Sequence, residues 1–169
     1  SDVYKRQSLY RCLSKTIFSA SSLLKILNDE ICETTSRGMF VTMIVGVYDK
    51  NKNELLLANA GHEPPLIFSK DGNFKTIDEA GPPLGIAPNF KFAEQIISFK
   101  ESSMYIFTDG ITEMKNNNGE MLGQEGFQDY IKKYQTTPNN KRLQKMIEDL
   151  ISSGRIQKDD LTIVTVDGN

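Results

Sequence analysis

The chain has 169 residues with 38% hydrophobic and 25% charged positions, the composition of one folded domain with a real core. A formal net charge of −2 and a sequence pI near 5.5 leave no basic surplus to draw in nucleic acid or anionic lipid by charge alone. Cys12 and Cys32 are the only cysteines and form no CxxC pair, which argues against a disulfide scaffold or a zinc knuckle, and the single histidine, His62, excludes a His-rich metal site.

In chain order, residues 1–7 (SDVYKRQ) carry no initiating Met and read as a non-native tail before a domain over 8–169. Residues 8–35 read as a helix pair. Leu9, Leu13 and Ile17 recur at spacing four, and Leu23, Leu24, Leu27 and Ile31 repeat the pattern, with Ser21 or Ser22 as the cap between them. After Gly38 the period changes. The stretch 39–49 (MFVTMIVGVYD) is apolar on both faces and predicts a strand covered on both sides. The following turn, DKNKNE at 49–54, mimics half a calcium loop but has Glu54 where glycine is needed and Ala60 where glutamate is needed.

Strands are predicted over 54–62 and in PPLIFS, with KDG as a hairpin signal before NFKTI. A Gly/Pro loop then leads to strands over 91–99 and 103–107. Two helices follow, QEGFQDYIKKY and NNKRLQKMIEDLIS, the second starting just after Pro138 and ending at Gly154, and a last strand covers 161–166. Helices at both sequence ends and strands apolar on both faces predict helices outside and sheet inside. No apolar run approaches the ~20 residues of a membrane span, and no signal peptide is recognisable. These features point to the cytoplasm.

Two acidic spots flank strands. Asp109 follows SMYIFT, and Asp159-Asp160 precede LTIVTV. If those strands are adjacent and antiparallel, the end of one meets the start of the other about 4.8 Å away, and the carboxylates converge at one sheet edge. Hard divalent cations such as Mg2+ or Mn2+ take such oxygen donors, and Gly110 lets the backbone turn sharply beside them. Taken singly, Asp109-Gly110 reads as an ordinary turn, Asp159-Asp160 as a solvated strand entry, and His62 as a hydrogen-bonded turn residue.

In order and spacing, MFVTMIVGVYD, LLLANAGHEPPLI, GPPLGI, MYIFTDGITEMKN, MLGQEGF and KDDLTIVTV resemble the SpoIIE-like bacterial branch of the PPM (protein phosphatase 2C-type) serine/threonine phosphatases, over residues 8–167. The resemblance implies an α+β fold, an αββα four-layer sandwich of mostly antiparallel sheets. It implies two Mn2+ or Mg2+ ions activating a water for hydrolysis of a phosphoserine or phosphothreonine protein, the typical substrate being a serine-phosphorylated anti-sigma-factor antagonist, and hence a role in sigma-factor regulation. Asp109 and Asp159 fall on metal-ligand positions, and Gly110, Asp160, Asn59 and His62 on supporting ones. His62 stands where the wider family places an aspartate associated with a third ion. NNNGEMLGQEGF resembles the family's flap, with Gly119 and Gly123 giving it mobility.

The departure from the pattern is at the start. The family's G-D-x-x-D and D-x-S-G-H-G motifs, which bring the metal-bridging aspartate, do not occur in the chain. The expectation is therefore a phosphatase domain lacking its first strands, whose parent is an enzyme and which is itself inactive or nearly so. A non-catalytic regulatory module that binds a phosphoprotein is the alternative. The sequence does not indicate an oligomeric state.

Overall fold

A computed structural model describes residues 19–34, 38–75, 77 and 81–168. The tail at 1–7 and the helical reading of 8–18 lie outside the described residues. The elements are α1 (Ala20–Thr34), β1 (Met43–Asp49), β2 (Glu54–Ala60), β3 (Leu66–Ser69), β4 (Phe74–Lys75), β5 (Gln95–Ser98), β6 (Ser102–Phe107), α2 (Asp109–Thr112), α3 (Gly123–Lys133), α4 (Asn139–Ser152) and β7 (Ile163–Asp167). Every paired strand is antiparallel, so the fold is α+β with antiparallel sheets, as the sequence implies. The chain divides into two units, residues 1–64 with 77–100, and 65–76 with 101–169.

In the first unit, the sheet runs β1-β2-β5 and α1 lies on one face. Leu23, Leu24, Leu27 and Ile31, on the helical stripe the spacing predicts, pack with Val45, Ala58, Ala60, Leu84 and Phe92. The helix is capped by Ser19 rather than by Ser21 or Ser22: the Ser22 amide donates to Ser19 Oγ at 3.1 Å. Glu94 explains the shift, since its Oε1 takes both the Ser19 hydroxyl at 2.8 Å and the Ser21 amide at 2.7 Å. Further along α1, buried Asn28 donates to the Ala87 carbonyl at 2.8 Å and accepts from the Gly85 amide at 3.0 Å, tying the helix to the Gly/Pro loop. The strand predicted over 39–49 is shorter and wetter than expected. Val45 faces α1 and is the buried residue of β1, whereas Gly46 and Tyr48, which alternate onto the opposite face, are exposed.

In the second unit, the sheet runs β4-β3-β6-β7. Leu66, Phe68, Tyr105 and Phe107 of the sheet pack with Phe127 and Ile131 of α3 and with Met146 and Leu150 of α4. Phe107 and Phe127 meet edge-on at 4.8 Å. The KDG hairpin joins β3 to β4. At one end of the β6–β7 ladder, Ser103 donates to Asp167 at 2.5 Å. The buried Arg142 guanidinium of α4 also donates to Asp167 and sits 5.7 Å over the Tyr105 ring. That end of the register, Ser103 opposite Asp167, is thereby pinned to a helix.

Candidate functional site

The opposite end of the same ladder carries the two acidic spots. Strands β6 and β7 are neighbours and antiparallel, with Phe107 opposite Ile163. The chain leaving β6 and the chain entering β7 therefore lie side by side, the arrangement in which Asp109 and Asp159 share one sheet edge. The Thr108 amide extends the ladder one step by donating to the Thr162 carbonyl at 3.1 Å.

Asp109 is not in a simple Asp-Gly turn. It opens α2, a single helical turn in which the Asp109 carbonyl accepts the Glu113 amide at 2.8 Å and the Thr112 hydroxyl at 3.1 Å. Its side chain is exposed, and no hydrogen bond or ion pair reaches its carboxylate among the described residues. Gly110 is buried against the other loop: a Cβ there would stand 2.5 Å from the Asp160 carbonyl oxygen. The absence of a side chain at Gly110 thus sets how closely the two loops approach.

Across from it, the Asp160 amide donates to Asp159 Oδ1 at 2.7 Å, and the Gln157 side chain donates to the Asp159 carbonyl at 2.9 Å. Asp159 and Asp160 are both exposed. One oxygen of Asp159 is engaged locally. The other, and both of Asp160, take no partner among the described residues.

The donors suit a hard divalent cation, which accepts one or two carboxylates and completes its shell with water and phosphate oxygens. Their number does not fill a shell. Among the described residues, no group of three or more His, Cys, Asp or Glu side chains comes together to hold a metal ion.

The remaining expected residues lie in the first unit. Asn59 is buried, and its side-chain amide closes the turn after β2. Its Nδ2 donates to the His62 carbonyl and its Oδ1 accepts the His62 amide, both at 2.9 Å. Gly61, at φ +67, takes the left-handed step of that turn with Pro83 packed against it. His62 Nδ1 lies 3.3 Å from Thr42 Oγ1, a hydrogen-bonding contact in keeping with a turn histidine. The flap-like segment is a small hairpin, Lys115 bridging Met121. Asn116 Oδ1 accepts the amides of Asn118 and Glu120. Sequence reasoning missed Thr108, the residue that joins the two acidic loops through its side chain. The only signal for it was its place before Asp109, which does not reveal a partner more than fifty residues away.

The sequence model of the Stage II sporulation protein E (SpoIIE) family matches residues 6–168. The chain is 27% identical over 157 residues to the phosphoserine phosphatase RsbU of Bacillus subtilis, covering 91% of the chain and 47% of RsbU. It therefore spans about half the length of that relative. Among solved structures, the SiaA-PP2C domain of Pseudomonas aeruginosa superposes with a TM-score of 0.81 at 14% identity, over 96% of this chain and 67% of that one. The phosphatase domain of SpoIIE from Bacillus subtilis, presoaked with Mn, gives 0.63 at 18% identity over 96% and 72%. These likenesses give the fold of a PP2C phosphatase domain. With the family match running from residue 6 to residue 168, the chain belongs to the SpoIIE family.

Proposed function

We propose that this chain is part of a serine/threonine protein phosphatase that uses Mn2+ or Mg2+ to hydrolyse a phosphoserine or phosphothreonine protein. The observation that carries the reading is the β6–β7 edge, where exposed Asp109 and Asp159 stand on loops held together by Thr108 and the Gly110–Asp160 contact. Family membership supports it, as does the phosphoserine phosphatase activity named for RsbU. Asp109 and Asp159 are the ligands, Gly110 sets the approach of their loops, and Asp160 supports Asp159 through its amide. In the first unit, Asn59 and His62 fix the turn after β2. A divalent cation at this edge would neutralise phosphoryl charge and make a water more acidic.

The protein substrate we assign is a serine-phosphorylated anti-sigma-factor antagonist, and the compartment is the cytoplasm. Among the described residues no helix is long and apolar enough to cross a membrane. Two carboxylates leave most of a metal shell to water, so residues 1–169 by themselves are expected to bind the ion weakly and to hydrolyse poorly.

The test is phosphate release from a phosphoserine peptide by the full-length protein, with Mn2+ and with EDTA. Activity should require the ion. Asp109→Asn should lower it by more than the roughly 10–100-fold that loss of an outer-shell partner costs. Activity that survives EDTA overturns the reading. One competing reading is a non-catalytic module that binds a phosphoprotein. Capture of the phosphopeptide equally well with and without EDTA, with no phosphate released, would establish that reading instead.

A further inference from the structure

We propose that Thr108 is a positioning residue that sets the spacing of the two acidic loops through its hydroxyl, and so controls the affinity of the edge for a divalent cation. The inference rests on the metal reading above and adds a residue to it.

Thr108 occupies the N-cap position of α2 in an extended conformation, φ −91 and ψ 157, yet its side chain makes no capping hydrogen bond. A threonine there ordinarily turns its oxygen onto the amides of the first helical turn. This hydroxyl turns to the other loop. It donates to the Asp160 carbonyl at 3.0 Å and accepts the Thr162 amide at 3.1 Å. One oxygen thus uses its donor and an acceptor site on both sides of Leu161.

The backbone does not close this gap by itself. Lys115 and Ile156 exchange two main-chain bonds farther out, and beside the acidic residues the main-chain bond between the loops is the Thr108 amide to the Thr162 carbonyl. That bond fixes Thr162 and leaves the turn at 159–160 to be held by something else. Gly110 limits the approach, since any Cβ there meets the Asp160 carbonyl at 2.5 Å. The Thr108 hydroxyl supplies the pull toward that limit. The contacts define a stop and a tether on one carbonyl group, one residue after Asp109 in one case and one residue before it in the other. The carboxylates of Asp109 and Asp159 hang from the two loops so joined. Ligands must be deprotonated, correctly spaced and held in place for tight binding, and outer-shell hydrogen bonds supply the last of these.

Thr108→Val keeps the shape and the main-chain bond while deleting both hydroxyl bonds. Thr108→Ser keeps the oxygen. In the full-length protein, two readouts are measured: amide hydrogen exchange at Thr162 and Mn2+ affinity by calorimetry. The valine variant should exchange faster at Thr162 and bind Mn2+ roughly tenfold more weakly, and the serine variant should stay close to wild type in both. Wild-type Mn2+ affinity in Thr108→Val overturns the positioning role, as does a serine variant as weak as the valine one. Failure of the metal reading looks different. In that case Asp109→Asn binds Mn2+ as wild type does, and the role falls with the site although Thr162 still exchanges faster in the valine variant.

Discussion

Gly110 carries the tightest steric requirement in the candidate site. Its need for a bare backbone comes from a neighbour fifty positions away, the Asp160 carbonyl, which an added Cβ would approach to 2.5 Å. Backbone cannot rotate out of the way as the end of a side chain can. Gly110→Ala is therefore expected to cost about 1–3 kcal/mol, the usual range for overpacking. The measurement is a lowered urea midpoint with unchanged slope. Gly46 is the control: its added Cβ meets flexible leucine ends, Leu55 Cδ1 at 3.3 Å and Leu57 Cδ1 at 3.6 Å, so alanine there should shift stability by roughly 0.5 kcal/mol or less. Equal effects at the two positions would break the account. The sequence shows that a glycine follows Asp109 and suggests a sharp turn. It does not show the real reason, a contact with a loop that only strand pairing brings near. Thr108 is illegible for the same reason.

At the scale of elements, what is legible is what is local. α4 begins after Pro138 and covers Asn139–Ser152, the residues its spacing and its proline mark. α1 buries the stripe that its leucines predict. The misreadings concern neighbours. β1 is apolar along its length, which predicts cover on both faces, but the face that carries Val45 packs on α1 while Gly46 and Tyr48 on the other are exposed. The cap of α1 moved to Ser19 because Glu94, distant in sequence, takes the Ser21 amide.

The grip of α1 on the loop after Gly85 has a pH dependence whose direction can be worked out. Asp29 accepts from Lys25 at 2.6 Å and from the Asn89 amide at 2.8 Å. These two hydrogen bonds, the lysine's first, hold its carboxyl below the ordinary value of 3.8. A lowered folded-state pKa means the unfolded chain binds the proton more readily. The stabilisation is then full above the ordinary carboxylate range and is lost as pH falls through the folded-state value. Acid unfolding followed at several pH values should show wild type losing its advantage over Asp29→Asn below about pH 4. A constant gap between the two across pH 3–7 would remove Asp29 from the account.

At the scale of the whole molecule, fold class and family are legible because they depend on an ordered series of short motifs spread from one end of the chain to the other. No single residue carries them, and the match over residues 6–168 reflects that breadth. The site is less legible, because a metal edge is a matter of distances between loops. A global property reports on it directly. An ion that binds the folded protein and not the unfolded chain stabilises it by about 2.7 kcal/mol when present at a hundred times its dissociation constant. For a domain of this size that is a rise of roughly 5–10 °C in the unfolding midpoint. The full-length protein should show that rise with Mn2+, and Asp109→Asn and Asp159→Asn should each lose most of it. Asp71→Asn is the control, an exposed carboxylate of the same unit that accepts from the Ser69 hydroxyl at 2.6 Å and lies in the β3–β4 hairpin. It should keep the full rise. If Asp71→Asn loses as much as the other two, Mn2+ is acting on surface carboxylates in general, and the β6–β7 edge has no claim to be a site. If the loss is confined to Asp109 and Asp159, the two strand ends act together on one ion, because either alone would leave half the rise in place.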